Sequence, residues 1–443
     1  MFTNKALLLL VLPIIAEQLL TSLMGMADSM MVANVSDAAL SAVSLVDSVN
    51  MLIIQAFNAL ATGGVIICSN YIGQKNITKA NEAARQLVLV ATAISVSIML
   101  ICILFHRPLL RLIFGSIEDD VMNAAIIYFM ITIISYPAIA LSGAGSAIYR
   151  AQGNTRLPMN VAITSNVLNI AGNAFLIYVM HLGVFGAALA TTLSRFFYAV
   201  TLMIMLHRKD QMLSVRDYLK IRPSKANIRA ILAMGIPNGI ENSMFQFGKL
   251  AIQSSVALCG TMAITAQAMT VIFENVNGVG GVGVGLALMT VVGQCLGAGR
   301  KDEVIYYMKK FVRWSYVVIL ISCLFAYAIA RPVTALSGMN AESARLCVYM
   351  TGWITIVKPI IWPLSFTTAY GLRASGDVKF SMVVSSLTMW LCRVSLSTFL
   401  IRVCGMGPIG VWIGMFSDWT LRAIIFSIRF HSRKFLNHKI VES

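Results

Sequence analysis

The chain has 443 residues, 58% of them apolar and only 12% charged, with a mean hydropathy of +0.80. Soluble domains carry about 25% charged residues, so these totals exclude a soluble enzyme, a disordered chain and a secreted disulfide scaffold, and point to a polytopic membrane protein. The net charge of +16, from 34 Lys and Arg against 18 Asp and Glu, would suggest nucleic acid in a soluble chain; in a membrane chain it is the cytoplasmic-loop surplus of the positive-inside rule, and no nucleic-acid partner is expected.

A spanning helix needs about 20 mostly apolar residues. Twelve such segments occur in chain order: about 6–33, 45–72, 86–105, 121–148, 158–180, 184–206, 231–257, 263–295, 312–330, 346–371, 380–403 and 409–430. The first starts like a signal peptide, with Lys5 before an apolar run, but it carries Glu17 and Asp28 and runs on past signal-peptide length. It reads as a spanning helix. Glu17 and Asp28 lie three helical turns apart, ~16 Å, and share roughly one face. Ionisable groups inside a span are functional candidates by default. Asp28 reads as a carboxylate that exchanges a proton or Na⁺, and Glu17 as part of a substrate path; the bland alternative is a hydrogen-bonding anchor.

In the fifth segment, Asn166, Asn169 and Asn173 recur at helical spacing and form one stripe. They either line a polar cavity with Asp28, Thr191 and Thr192 or bind helices together. The basic stretch 207–230 separates six segments from six and reads as a linker that also sets topology. Beyond it, Glu241, Gln246 and Lys249 (seventh segment), Glu274 (eighth) and Lys358 (tenth) suggest one network of two carboxylates and two amines. Asp418 and Arg422 read as a simple intrahelical pair; Arg195 and Arg393 lie in the sixth and eleventh segments. Gly278, Gly280, Gly281, Gly283 and Gly285 mark a hinge or a close-packing face. The eight cysteines are scattered with no C-x-x-C, and the five histidines sit at or beyond segment ends, so zinc, a redox pair and a His-based active site are not indicated.

With the N-terminus cytoplasmic, the outer loops hold five cations, Arg107, Arg111, Arg331, Arg345 and Arg402, and the inner parts hold most of the remainder. Both termini are therefore expected inside. The two halves also repeat. At a spacing of 224, Pro13 meets Pro237, Glu17 meets Glu241 and Gly73 meets Gly297; RAQGNTR (150–156) meets RASGDVK (373–379) at 223; GVFGAALA (183–190) meets GPIGVWIG (407–414) at 224. Six helices per half give both halves one orientation, with a pseudo-two-fold along the membrane normal, a cavity between them and alternating access. The expected fold is an all-α polytopic membrane protein with twelve transmembrane helices in two pseudo-symmetric six-helix bundles: 1–206, a linker at 207–230, and 231–443 with a short basic tail.

The P-x3-E…D pattern near the start, RAQGNTRLP after segment four, the asparagine stripe, GAALATTLSR in segment six and GLRASGD after segment ten together resemble the multidrug and toxic compound extrusion (MATE) transporters, over essentially the whole chain. The resemblance implies efflux of organic cations and other amphipathic drugs driven by inward H⁺ or Na⁺, with no cofactor. It also implies that Asp28 is a cation site, with Asn169 and Thr191 matching its neighbours. Asn173 stands where the family has an Asp, which removes one charge. Glu241 resembles an acid of helix seven in one branch. The tenth segment has Lys358 in place of an acid, and Glu274 is our own spatial substitute.

The expected function is a non-enzymatic antiporter of the plasma (inner) membrane, a monomer in contact with membrane lipid, exporting amphipathic cationic drugs. Asp28, Glu241 and Glu274 are the coupling candidates. Glu17, Asn166, Asn169, Asn173, Thr191, Gln246, Lys249 and Lys358 are the substrate-binding candidates. The rival in the same superfamily is a flippase of lipid-linked glycans, which needs a cation-lined cavity; Lys249 and Lys358 allow one, but acids outnumber them. An intramembrane enzyme would need a large catalytic loop or clustered His, Asp and Ser at an interface, and the longest loop is short and basic.

Overall fold

The computed structural model describes residues 1–33, 35–115, 118–208, 211–216, 222–438 and 440. The elements are α1 (Asn4–Ala33), α2 (Asp37–Gly73), α3 (Ile77–Phe114), α4 (Asp119–Ile134), α5 (Tyr136–Ala151), α6 (Arg156–Asn173), α7 (Gly183–Leu206), α8 (Lys225–Val256), α9 (Thr261–Gly297), α10 (Lys301–Leu336), α11 (Ala341–Trp362), α12 (Thr368–Ala374), α13 (Val378–Thr388), α14 (Ser397–Arg402) and α15 (Ile409–His431). No strand occurs among the described residues.

These stretches follow the twelve apolar segments in order, with two differences. Ten are long and apolar enough to cross a membrane, or eleven with α4 and α5 counted as one span bent by 44°. The bend follows from Pro137 in the first turn of α5, which lacks an N–H and disfavours a helical residue before it. Ser135 closes the break, donating from its hydroxyl to the Thr132 carbonyl at 2.6 Å. The other difference is α8, which falls short because its middle carries Asn238, Glu241, Asn242, Ser243, Gln246 and Lys249.

Three stretches take the wider π-helical turn: Ala174–Val179 directly after α6, Pro363–Thr367 directly after α11, and Met389–Leu396 directly after α13. Such turns are rare and concentrate at functional sites.

The chain divides into two compact units. One is Asn4–Gly239; the other is Met1–Thr3 with Ile240–Ser443. In the first, α2 packs on the opening turns of α8 at close range. A Cβ at Gly63 would lie 2.5 Å from the Ile231 carbonyl oxygen. Of the predicted linker 207–230, residues 209, 210 and 217–221 lie outside the described residues, as do 439 and 441–443 of the tail. What is described of the linker is strapped down. Leu213 and Val215 are fully buried. Ser214 N–H donates to Asn81 (2.8 Å), and Gln86 bonds both the Arg222 carbonyl (2.7 Å) and the Ser224 N–H (3.0 Å).

In the second unit, α9 presents its glycine run to α10, α11 and α12. Trp362 and Ile319 fill the space where Gly281 lacks a side chain, and Tyr370 does so at Gly285. The run is a close-packing face. Around it Phe273, Ile319, Cys323, Met350, Trp362, Trp412 and Trp419 form the core.

The repeat is visible in local geometry. Prolines sit inside α3 and α10 at Pro108 and Pro332, again 224 residues apart. The turns after α5 and α12 both need a left-handed residue, and Gly153 (φ 82°) and Gly376 (φ 87°) supply it. The α2–α8 contact yields a test. Gly63→Val should cost about 1–3 kcal/mol by overpacking and lower the thermal-unfolding midpoint in detergent. Gly25→Ala, inside α1 where a Cβ meets nothing within 4 Å, should not lower that midpoint.

Candidate functional site

Burying a charge in a membrane helix is tolerable only where a partner meets it. Among the described residues the partners that bear on the predicted site form three arrangements, one of which occurs twice; apart from them, Asp377 after α12 pairs with Arg429 at 2.6 Å.

The duplicated one is an ion pair. Arg150, in the last turn of α5, reaches the Glu17 carboxylate on α1 at 2.8 Å; Arg373, in the last turn of α12, reaches Glu241 on α8 at 2.5 Å. Both acids are buried, 6% and 2% exposed. In both pairs one carboxylate oxygen and the arginine Nε are buried without a hydrogen bond, so the same one-pronged contact recurs in each half. Around Glu17, Tyr198 adds a hydroxyl donor at 3.2 Å and is itself bonded to Ser146 at 2.9 Å.

The second arrangement lies in the first unit. Asn173 donates its amide to Asp28 at 2.6 Å and to the Asn169 oxygen at 3.3 Å. Asn169 in turn donates to Thr191 (3.3 Å) and Ser194 (3.4 Å) on α7. The structure thus joins Asp28, Asn169, Asn173 and Thr191 by hydrogen bonds that run from α1 through α6 to α7. Asn173 Oδ1 is buried and unbonded. Asn166 stays outside this chain, its amide nitrogen buried without a partner, and Thr192 turns to the Ile131 carbonyl instead.

Sequence reasoning missed Asp47, Tyr128 and Ser194. Asp47 on α2 accepts from Asn50 (3.4 Å) and Tyr128 (3.3 Å). It acts electrostatically on Asp28, and Arg195 acts on both. Arg195 is aimed by Ser135 at the α4–α5 break (2.9 Å). Asp47 is thus a second carboxylate whose charge acts on Asp28, from α2. The signal for Asp47 was the three-residue spacing to Asn50, hidden by its place near the polar start of a segment.

The third arrangement is in the second unit and corrects the expected four-membered network. Glu241 is held by Arg373 and is not joined to Glu274. Glu274 instead meets Lys358 at 2.6 Å. The Lys358 ammonium is fully buried; it also donates to the Glu274 carbonyl (3.0 Å) and to Asn277 (2.5 Å), and lies 5.8 Å from the rings of Trp362 and Trp419. Asp418 and Arg422 pair as expected (2.7 Å), but Arg422 also holds Thr388 and the Ser385 carbonyl, and Arg393 approaches Asp418 at 3.4 Å. Lys249 acts on Glu274 and Arg393 through space. Gln246 is half-buried on the same helix. The acids do not outnumber the cations here: Lys249, Lys358, Arg393 and Arg422 face Glu274 and Asp418. Among the described residues no three His, Cys, Asp or Glu side chains converge as a metal site would need.

Buried charge clusters on membrane helices, in a chain of two helical repeats, define a multi-pass membrane transporter. Comparison with known proteins names the family. A family profile described as MatE matches residues 13–175 and again 237–399, at the spacing that relates Pro13 to Pro237. The chain belongs to the MatE family, whose members are cofactor-free transporters and not enzymes. It is 27% identical to a probable multidrug resistance protein NorM of Thermotoga maritima, over 97% of this chain and 93% of that protein. A structure described as the outward-facing conformation of a multidrug resistance MATE family transporter superposes with a TM-score of 0.90 at 20% identity, covering 97% of this chain and 95% of the other. A Pyrococcus furiosus transporter of the MOP superfamily, described as having a binding pocket of reverse polarity, gives the same TM-score at 20% identity, over 98% and 97%.

The duplicated ion pair sets a stability test. Arg150→Met should cost about 3 kcal/mol by leaving Glu17 buried and unpaired, and adding Glu17→Gln should recover much of the loss. Arg373→Met and Glu241→Gln should repeat the pattern, read as thermal-unfolding midpoints in detergent. Midpoints unmoved by either arginine replacement would show that the pairs hold nothing.

Proposed function

We propose that the chain is a secondary active multidrug exporter, exchanging inward H⁺ or Na⁺ for amphipathic, cationic organic compounds by alternating access. We place it in the plasma (inner) membrane as a monomer with both termini cytoplasmic. The observation that carries this reading is Asp28: a carboxylate on a membrane helix, 2.6 Å from Asn173, whose own amide oxygen is buried with nothing to meet. An incoming Na⁺ would find carboxylate, amide and hydroxyl oxygens there from Asp28, Asn173, Asn169 and Thr191. An incoming proton would neutralise Asp28 directly. Either removes the desolvation cost of its charge and so biases the equilibrium between access states. Asp47 and Arg195 set the field in which this happens.

In this reading Glu17 and Glu241 hold helices together through Arg150 and Arg373. Glu274 is the acid of the second unit that a change in Lys358 pairing would release. Asn166, Gln246, Lys249 and Lys358 belong to the substrate path. The family membership and the names of the relatives support drug export; the pairing geometry supports the role of Asp28.

The test is ethidium efflux from proteoliposomes under an imposed pH gradient and, separately, a Na⁺ gradient. Asp28→Asn should reduce gradient-driven efflux at least about tenfold, the loss expected when an interaction of a charged group is removed. Asn173→Ala should weaken it less. Undiminished gradient-driven efflux in Asp28→Asn would sink the coupling role, and no efflux of ethidium or related cations under either gradient would sink the export reading.

A further inference from the structure

In the cluster of Lys249, Lys358, Arg393 and Arg422 with Glu274 and Asp418, two cations are left over. Lys358 is fully satisfied by three oxygens. Arg422 is satisfied by both Asp418 oxygens, Thr388 and the Ser385 carbonyl. Each acid is thereby engaged, Glu274 by Lys358 and Asp418 by Arg422. Arg393 is only 5% exposed. Its one nearby carboxylate oxygen, 3.4 Å away, already belongs to Arg422, and its Nε has no hydrogen bond. Lys249 is exposed and, among the described residues, forms no ion pair. Through space Lys249 is attracted by Glu274 and, less strongly, repelled by Arg393.

The local fold brings them together. Arg393 is carried on the π-helical stretch Met389–Leu396, and Gly248 lets α8 settle against Met389 and Val394 of that stretch. Phe245, one turn from Lys249 on the same face of α8, lies 5.5 Å from the Arg393 guanidinium and 4.5 Å from that of Arg422. Lys249 and Arg393 thus share two acids, Glu274 and Asp418, that are already paired to Lys358 and Arg422; such a surplus of positive charge is expensive on membrane helices, and an oxyanion would meet both. A carboxylate has two oxygens, one for the guanidinium edge and one for the ammonium, and an aromatic body would lie on Phe245.

We propose that Lys249 and Arg393, with Phe245 as an apolar floor, form a binding site for amphipathic aromatic carboxylates. The site rests on the export reading for the fate of its ligand, but not for its binding. The second unit thus accepts the charge sign opposite to that met by Asp28, and the transporter takes anionic or zwitterionic amphipaths as well as cations.

The test uses the full chain in phosphatidylcholine nanodiscs and two matched probes, 1-pyrenebutyrate and 1-pyrenemethylammonium, with binding read as tryptophan-to-pyrene energy transfer. Wild type should bind the anion about tenfold or more tighter than the cation, the scale of a charge-assisted contact. Lys249→Gln, at an exposed position, should raise the anion Kd about tenfold, and Lys249→Arg should restore it. Arg393→Gln should act in the same direction where size exclusion shows a folded protein. Equal affinity for the two probes, or anion binding unmoved by Lys249→Gln, would overturn the proposal. Ethidium efflux measured on the same preparation separates the two readings. Efflux without anion preference removes this site and leaves export standing; anion preference without efflux keeps the site and removes export.

Discussion

A charge carried on a membrane helix must find its partner inside the protein, because lipid offers none. That constraint decides which helices of this chain are joined. It fixes α1 to α5 through Glu17 and Arg150, and α8 to α12 through Glu241 and Arg373. It ties α1 to α6 and α7 through the amide chain that starts at Asp28. It also holds α9 to α11 through Glu274, Asn277 and Lys358. Each helix with a charge in its middle is thus assigned a neighbour.

The scaffold is duplicated but the chemistry is not. The Glu–Arg pair, the prolines of α3 and α10 and the left-handed glycines recur in both halves. The polar clusters diverge: Asp28 and Asp47 share a single Arg195 in the first unit, whereas four cations face two acids in the second. Duplication supplied two equal frames, and substitution within them gave the frames opposite sign. That division suits a transporter, since a coupling ion and a substrate can be met by different repeats.

Much of this was legible in the sequence, for identifiable reasons. Apolar runs, loop charges and the repeat spacing are local or periodic, so the helical order, the duplication and the family could all be read. Asp28, Asn169, Asn173 and Thr191 could be grouped because Asn169 and Asn173 lie on one helical stripe and the resemblance to the family set Asp28 and Thr191 beside it. What could not be read was which helix each charge would meet. Glu241 and Lys249 lie on one helix two turns apart, and spacing alone made them partners. The structure sends Glu241 to Arg373, 132 residues on, and leaves Lys249 near Arg393. Asp47 was lost because its partners Tyr128 and Arg195 come from distant helices. Periodicity reports a face; it does not report who stands opposite.

The π-helical turns carry a further consequence. Each lies at a cluster residue: one follows Asn173, one follows α11 with its Lys358, and one contains Arg393. A π turn is an α turn with one residue inserted, and each residue advances an α-helix by about 100°. Losing that residue would return the turn to α geometry, re-aiming the side chains of the turn itself while the helix beyond keeps its place. Relatives of this chain could therefore change what they bind through single-residue insertions and deletions at these three places, a form of variation that comparison of aligned side chains alone would overlook.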